Sequence, residues 1–507
     1  MNNFALTSFG FLLAAALWAT QPTRSLLITS KWTSRAGLTG ITLLEVVAIS
    51  DLWRGAPLRL HVGATELLRF DLAATLLTGL IVLLGIVVLT YAARNLDGTP
   101  SAARFARWSN IALVGSLVTV EATRFSVLAA GWILTTTATI ALVGIAGGTS
   151  GRRATSLATR ALLVGDLGLL VAVVVLWRQG ADAFSTVTTT ASLQQHAIGN
   201  VPLEGLVIVG ALMAALARAG QRPFAPWVPA TVAAPTPVSA LLHAGVVNAG
   251  GLLLLRLSPI LHPSSVTTYL VVLVVGASVV EAVRTCRRRG DVKGSLAYST
   301  VAQMGFMLVM VILGLPVVAL AHIMGHALFK AYRFLDAGNR VEHVARRDHF
   351  VGQTSPWSRA ARLGVVSLAI APVAAVGGAI LSFGHQETSW FVMVLIVAAA
   401  VGRGAWRLGQ GASTWTHTEH AAVASGVVSS GYLAVTAVLD RHLGPSLHAH
   451  SAPLVMVTLV VAAIFIAGDA SNTHLTDHLS RRPWEPRHRG SWVRSTGARA
   501  TVAWGGK

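Results

Sequence analysis

Apolar runs of about 20 residues recur from Phe4 to Gly468, and each is long enough as a helix to cross the ~30 Å hydrocarbon core of a bilayer. No other feature limits the fold as strongly. In lipid every backbone N–H and C=O must be satisfied by the spanning structure itself, which leaves helices or closed barrels. The short alternating strands of a membrane barrel are absent, so the runs predict an all-α integral membrane protein. Composition agrees: 53% of the 507 residues are hydrophobic and 12% are charged, against roughly 25% charged in soluble domains.

The runs divide into about 15 candidate spans, at 4–20, 36–52, 71–93, 107–122, 125–147, 160–177, 203–221, 235–257, 265–285, 294–314, 317–336, 362–383, 389–408, 419–439 and 452–469. The first lacks a basic leader and a small-residue cleavage site, which predicts a retained helix rather than a signal peptide. The longest polar gap, 178–202, is too short for a soluble domain. Basic clusters follow the odd-numbered spans, as in Arg152, Arg153 and Arg160 or Arg287, Arg288, Arg289 and Lys293. The positive-inside rule then predicts an N-terminus outside and a C-terminus in the cytoplasm of a cell's inner (plasma) membrane. The basic, Pro/Gly-rich segment 471–507 is expected to be a loosely ordered cytoplasmic tail.

Net charge is +19 and the sequence pI about 11.5. Without a basic domain or aromatic stacking module, that charge reads as topology and not as nucleic-acid binding. There is no GxxxxGK[ST], no GxGxxG after a strand and no HExxH, so nucleotide hydrolysis and dinucleotide chemistry lack support. One cysteine, Cys286, excludes an internal disulfide and a cysteine-based metal cluster, and it reads as an incidental thiol at a helix end. The residues therefore predict no cofactor in this chain.

Ionisable groups inside a bilayer are costly and by default mark an ion or substrate path. Three clusters carry them. In PFAPWVPATVAAPTPVSALLHAGVVNAGGLLLLR (223–256), prolines break a segment that continues as a long apolar helix with His243 and Asn248, and Arg218 and Arg222 stand just upstream. In DVKGSLAYSTVAQMGFM (291–307), Lys293 opens a helix with a polar stripe of Tyr298, Ser299, Thr300 and Gln303. Lys293 there is either a snorkelling interfacial lysine or part of a path. In ALAHIMGHALFKAYRFLDAG (319–338), His322, His326 and Lys330 are spaced i, i+4, i+8, one above another on a helix face about 6 Å apart. Such a ladder suits stepwise proton or cation transfer, since histidine titrates near neutral pH. Zinc ligation by His322 and His326 fits the spacing but lacks an evident third ligand.

Carboxylates in or near spans are Glu45, Glu121, Asp166, Glu204 and Glu281. Asp166 lies deep enough to need a partner, with Arg160, Arg218 or a histidine as candidates. Glu281 either pairs with Arg284 or Arg288 on its own helix or serves the path. Energy for transport must come from an ion gradient or a partner.

The three clusters, in this order and spacing, resemble the antiporter-like subunits shared by respiratory complex I and the Mrp-type cation/proton antiporters, over roughly residues 70–410. The resemblance implies a fold of inverted five-helix repeats with a broken helix near 218–235. It divides the chain into N-terminal helices (1–106), a first repeat (107–265), a second repeat (266–410), C-terminal helices (411–470) and the tail. It implies an ion pathway of Asp166, Arg218, His243, Lys293, His322, His326 and Lys330, with His385 and Glu281 as further candidates. This chain departs from the family at Ile133, where GWILTTT replaces a Trp–Glu pair, and at Arg218, where the family has a lysine. The family's late lysine has no counterpart in GGAILSFGHQE, where His385 comes nearest.

Within this superfamily, HAGVVNAGG followed by LLLLRLSP is most similar to the DabB group, the membrane subunits of two-component inorganic carbon pumps. That resemblance implies a DabA-like soluble partner on the cytoplasmic face, with a zinc site similar to a β-type carbonic anhydrase, and an H+ or Na+ gradient as the driving force. The alternatives are a member of a Mrp-type monovalent cation/proton antiporter or a proton-pumping member of a complex I-like assembly.

Overall fold

A computed structural model describes residues 24–55, 57–184, 197–198, 201–257, 266–312, 315–337, 359–382, 394, 397–398, 401–402 and 415–443. Among them, α1 (Arg24–Trp53) leads into a hairpin of β1 (Leu58–Val62) and β2 (Thr65–Phe70). The chain continues through α2 (Leu72–Asn95), α3 (Ser101–Glu121), α4 (Phe125–Val143) and α5 (Gly148–Arg178). A two-residue antiparallel bridge, Ala197–Ile198 with Val201–Pro202, precedes α6 (Leu203–Arg218), the short α7 (Trp227–Ala230) and α8 (Thr236–Ala244). Then come α9 (Ala249–Leu257), α10 (Val266–Arg288), α11 (Val292–Ile312), α12 (Pro316–Leu335), α13 (Arg359–Ser382) and α14 (Trp415–Leu443). The candidate spans at 4–20, 389–408 and 452–469, the tail, and His385 lie outside the described residues or nearly so.

Seven of the described helical segments are long and apolar enough to cross a membrane: 31–53, 72–95, 125–146, 148–178, 236–257, 292–312 and 364–382. Others, such as α3 with Arg104 and Arg107 and α12 with its two histidines and Lys330, carry polar residues that lower their mean hydropathy. The surface is inside-out relative to a soluble bundle. On α5, Leu163, Leu167, Leu170, Val174 and Trp177 are exposed at helical spacing, whereas Leu162, Asp166, Leu169, Val173 and Leu176 are buried. An apolar outer stripe of this kind suits lipid.

Small residues set the spacing inside. A Cβ on Gly168 would lie 2.8 Å from the Gly210 carbonyl oxygen, and one on Gly165 would lie 2.6 Å from Ala217 Cβ. The α5 and α6 backbones are therefore in direct contact, as small residues permit between membrane helices. This contact brackets Asp166 and delivers it to Arg218, the neighbour of Ala217.

The break after α6 is written locally. Gly220 has φ +62°, the Gln221 N–H bonds the Leu216 carbonyl, and the Gly220 N–H bonds the Ala217 carbonyl. That is a Schellman closure with glycine in the left-handed position. Pro223 and Pro226 follow, and only the short α7 and a 3₁₀ turn (Thr231–Ala233) form before α8 begins at Thr236. The break near 218–235 is thus present. The apolar helix expected over 235–257 is not continuous, however: it divides at Gly245 into α8, a 3₁₀ turn (Val246–Asn248) and α9. The apolar pattern could not reveal this, because every residue of the turn is itself buried.

The hairpin was not foreseen either. It closes at Gly63, φ +60°, and pairs Leu58 with Phe70 and Val62 with Thr65. Arg69 Nε donates to Glu66 at 2.6 Å, with Arg59 at 3.6 Å from the same carboxylate. Burial pushes the Glu66 carboxyl up, but the Arg69 hydrogen bond and the Arg69 and Arg59 charges outweigh it and hold it below its ordinary value. At the same end, Asp182 caps α4 through the Ser126 N–H (2.9 Å) and hydroxyl (2.7 Å). Arg256 there joins Asp71 (3.3 Å) to the Val120 carbonyl (2.7 Å).

Candidate ion pathway

Two buried polar groups face the interior, one in each half of the chain. The first is organised by Arg218 at the last turn of α6, 1% exposed. Its Nη2 donates to Thr136 Oγ1 at 2.7 Å and to the Trp132 carbonyl at 3.2 Å, and it lies 3.9 Å from Asp166 Oδ1. The guanidinium carbon stands 4.3 Å over the Trp132 ring. Asp166 Oδ1 also accepts from Trp132 Nε1 at 2.8 Å and from Thr136 Oγ1 at 3.1 Å. Of the three partners that sequence allowed for Asp166, the structure selects Arg218. Ile133, in the place of the family's glutamate, is 37% exposed and plays no part in this pair. The counter-charge to Arg218 is supplied from α5.

Trp132 and Thr136 were not among the sequence candidates. Their signal was the GWILTTT segment, whose tryptophan and threonines lie four residues apart and so share a face. Arg218 Nε and Nη1 have no protein partner. A cavity of about 70 Å³ opens between Arg218, Trp132, Ala244 and Asn248. It is large enough for about two waters, whose share of liquid volume is ~30 Å³ each.

The second group lies on α12 and its neighbours. The His322 and His326 rings stack with centroids 6.0 Å apart and planes inclined by 22°, so the i, i+4 spacing becomes ring contact. Phe306 meets His322 edge-on at 5.7 Å. One turn on, Lys330 is 1% exposed and its Nζ donates to the Leu296 carbonyl at 2.8 Å. Leu296 sits one turn after Lys293 on α11, and its carbonyl also accepts from Thr300 Oγ1 at 2.9 Å. His243 stacks on Phe334 at 4.5 Å and its Nε2 meets Thr231 Oγ1 at 3.0 Å. His326 lies within electrostatic reach of Lys330, His322 and His243. His322 Nε2, His326 Nε2 and His243 Nδ1 are buried without a protein partner.

The structure thus brings His243, His322, His326 and Lys330 together, with Lys293 one turn from the Leu296 carbonyl that holds Lys330. Asp166 and Arg218 form a separate pair, and the cavity beside Arg218 is lined by none of the residues of that line. Glu281 belongs to neither. Its carboxylate binds Arg222 Nε at 2.6 Å on an exposed surface, so its partner is the broken-helix loop and not Arg284 or Arg288. Cys286 is less incidental than the sequence suggested: its Sγ donates to the Ser295 carbonyl at 3.3 Å and lies within electrostatic reach of Lys330.

Residues 123–402, more than half of the chain, match the family described as the transmembrane part of NADH:quinone oxidoreductase and Mrp antiporters. The chain belongs to that family. Among curated relatives, a probable inorganic carbon transporter subunit DabB of Hydrogenovibrio crunogenus is 37% identical over 189 residues, covering 36% of this chain and 35% of that protein. A probable inorganic carbon transporter subunit DabB2 of Halothiobacillus neapolitanus is 32% identical over 330 residues, 62% of this chain and 58% of that protein. A probable K+/H+ antiporter subunit of Rhizobium meliloti is 33% identical over 285 residues, 55% of this chain and 28% of that protein. The chain therefore spans less than two thirds of these relatives. Among solved structures, a chain of the Mrp complex from a Dietzia species superposes with a TM-score of 0.60 at 23% identity, over 95% of this chain and 57% of that one. A chain of the archaeal membrane-bound sulfane sulfur reductase gives 0.57 at 18% identity, over 94% of this chain and 95% of that one. These likenesses carry the fold: an antiporter-family, multi-pass helical membrane protein.

Proposed function

We propose that this antiporter-family chain is the ion-conducting membrane subunit of an inorganic carbon (CO2 or bicarbonate) uptake complex. The observation that carries the reading is the run of DabB-named relatives at 31–37% identity, with DabB2 aligned over 330 residues. In this reading H+ or Na+ moves along His243, His322, His326 and Lys330, entering or leaving beside Lys293. Flow down its gradient energises a DabA-like soluble zinc partner on the cytoplasmic face, where hydration or accumulation of inorganic carbon takes place. The Asp166–Arg218 pair supports the line electrostatically and does not itself exchange protons, because a guanidinium keeps its charge. The basic end of α10, Arg287 to Arg289, belongs to the docking face, together with Arg346 and Arg347, which lie outside the described residues.

The test is co-expression with a DabA-like protein in a carbonic-anhydrase-deficient host grown in air. Rescue that depends on both chains and is lost in Lys330→Ala at unchanged protein level supports the reading. Failure of rescue with both wild-type chains present in the membrane overturns it. The Rhizobium relative favours a second reading, a component of a K+/H+ antiporter. Potassium-dependent proton movement in vesicles, without any carbon phenotype, would select it.

A further inference from the structure

The family's chemistry leaves one buried polar group unused, apart from the Lys330 line and on the first three helices. Glu45 of α1 and Glu121 at the end of α3 are both inside the bundle, 6% and 0% exposed. Each follows a buried leucine of the same apolar cluster, Glu45 directly after Leu44 and Glu121 one turn after Leu117. Both helices end at the hairpin, Ser34 Oγ of α1 donates to Asn110 Oδ1 of α3 at 2.9 Å, and Glu45 and Glu121 stand about three turns beyond those two residues, at one depth and on the facing sides. Thr78 of α2 donates to Glu121 Oε1 at 2.8 Å, while Glu121 Oε2 and Glu45 Oε1 have no partner.

The charges at the hairpin end of this unit are engaged elsewhere, and Lys31, Arg35, Arg94, Arg104 and Arg107 stand towards the opposite ends of α1, α2 and α3. Arg256 binds Asp71, Arg69 and Arg59 bind Glu66 with His61 at 4.0 Å from it, and Arg124 binds Asp182. Among the described residues, then, two neighbouring carboxylates share a low-dielectric site without a cationic side chain. Two such groups cannot both carry charge at moderate cost, and the general solution is one proton held between them. The unpartnered oxygens are the atoms that could share it.

We propose that Glu45 and Glu121 form a proton-exchange site of their own, holding one proton between the two carboxyl groups in the α1–α2–α3 unit. The route for that proton is also on the molecule. Asp71, Thr75 and Thr78 follow at i, i+4 and i+7 and share one face of α2. Asp71 begins the helix at the hairpin end, half-exposed beside Arg256, and Thr75 Oγ1 is buried without a partner. The stripe therefore leads from water at the hairpin end to Glu121. The site is separate from the His–Lys line and does not rest on the inorganic-carbon reading.

Infrared difference spectra of the reconstituted full-length protein test this. At neutral pH the wild type should show a carboxylic-acid carbonyl band that shifts in deuterated water, changes frequency in both Glu45→Gln and Glu121→Gln, and is lost when both are replaced. The Glu45→Gln/Glu121→Gln double variant, neutral and of the same shape, keeps folding in view. It should insert and melt like the wild type at neutral pH, and it should lose the destabilisation that wild type shows when alkali removes the shared proton. A band that keeps its frequency in both single variants, or that survives in the double variant, overturns the proposal. So does a wild-type spectrum without the band whose carboxylate signals change on adding sodium, since the pair would then hold a metal cation instead.

Discussion

Arg218 is charged at any pH the membrane meets, so the Asp166 carboxylate beside it is tied to a permanent cation. Removing one member of a buried pair leaves the other uncompensated, at a cost of about 3–5 kcal/mol. Arg218→Ala and Asp166→Asn should each lower the melting temperature in detergent, whereas Arg218→Lys should retain most stability and transport. A double-mutant cycle across the pair should show strong coupling, and strict additivity would mean that the two side chains stabilise independently. Lys330 belongs to a different class. Lys330→Met conserves volume and frees a single carbonyl, so it should keep protein level within about 1.5 kcal/mol of wild-type stability while abolishing ion flux measured with a pH-sensitive dye. Flux preserved in both Lys330→Met and His326→Ala would make the α12 stripe a packing feature alone.

Among elements, the break after α6 and the hairpin make opposite demands. Gly220→Ala places a Cβ 2.4 Å from Val228 Cγ2 at φ +62°. It should cost more than about 1 kcal/mol and loosen the Arg218 turn, detectable as faster hydrogen exchange over 216–222. In the hairpin, Glu66 is held below its ordinary carboxyl value, so its contribution is complete above the unfolded pKa of about 4.3. That contribution is lost as pH falls further, through the folded value. Exchange protection of residues 58–70 should therefore decline only in acid, and Glu66→Gln should remove the acid dependence. The helices and the Arg218 break were legible because their signals are long or proline-marked. The hairpin was not, since β1 and β2 span five and six residues and read as loop between spans. For Glu281 the sequence left two readings open and named neither partner correctly, because Arg222 lies 59 residues away in the chain, beyond any local pattern. Asp166 could be read as needing a cation, but sequence could not choose among three.

For the whole molecule, the hairpin, the Asp182 cap and the Arg256–Asp71 pair gather at one end. The basic turns after α2, α4 and α10 follow helices that run the other way. The orientation expected from the basic loops, N-terminus outside, would place the hairpin end outside. In a Cys286→Ser background, an impermeant thiol reagent should label Gly63→Cys on intact cells and Gly290→Cys only after permeabilisation; the reverse pattern would invert the topology. Purified without a partner, the chain should carry no stoichiometric zinc, since it has one cysteine and, among the described residues, no three metal-ligating side chains converge. One tightly held zinc per chain by elemental analysis would refute this.

The partner chosen for Lys330 has a consequence for reversibility. Its ammonium is held by a main-chain carbonyl and not by a carboxylate. When a lysine in an ion pair gives up its proton, it strands an anion, and the stranded charge pulls the proton back. A carbonyl leaves behind only a neutral dipole, already shared with the Thr300 hydroxyl. Release at Lys330 therefore strands no opposite charge on its hydrogen-bond partner. In the proposed pathway the contact would work as a latch without a spring, closing and opening with whichever side supplies the proton.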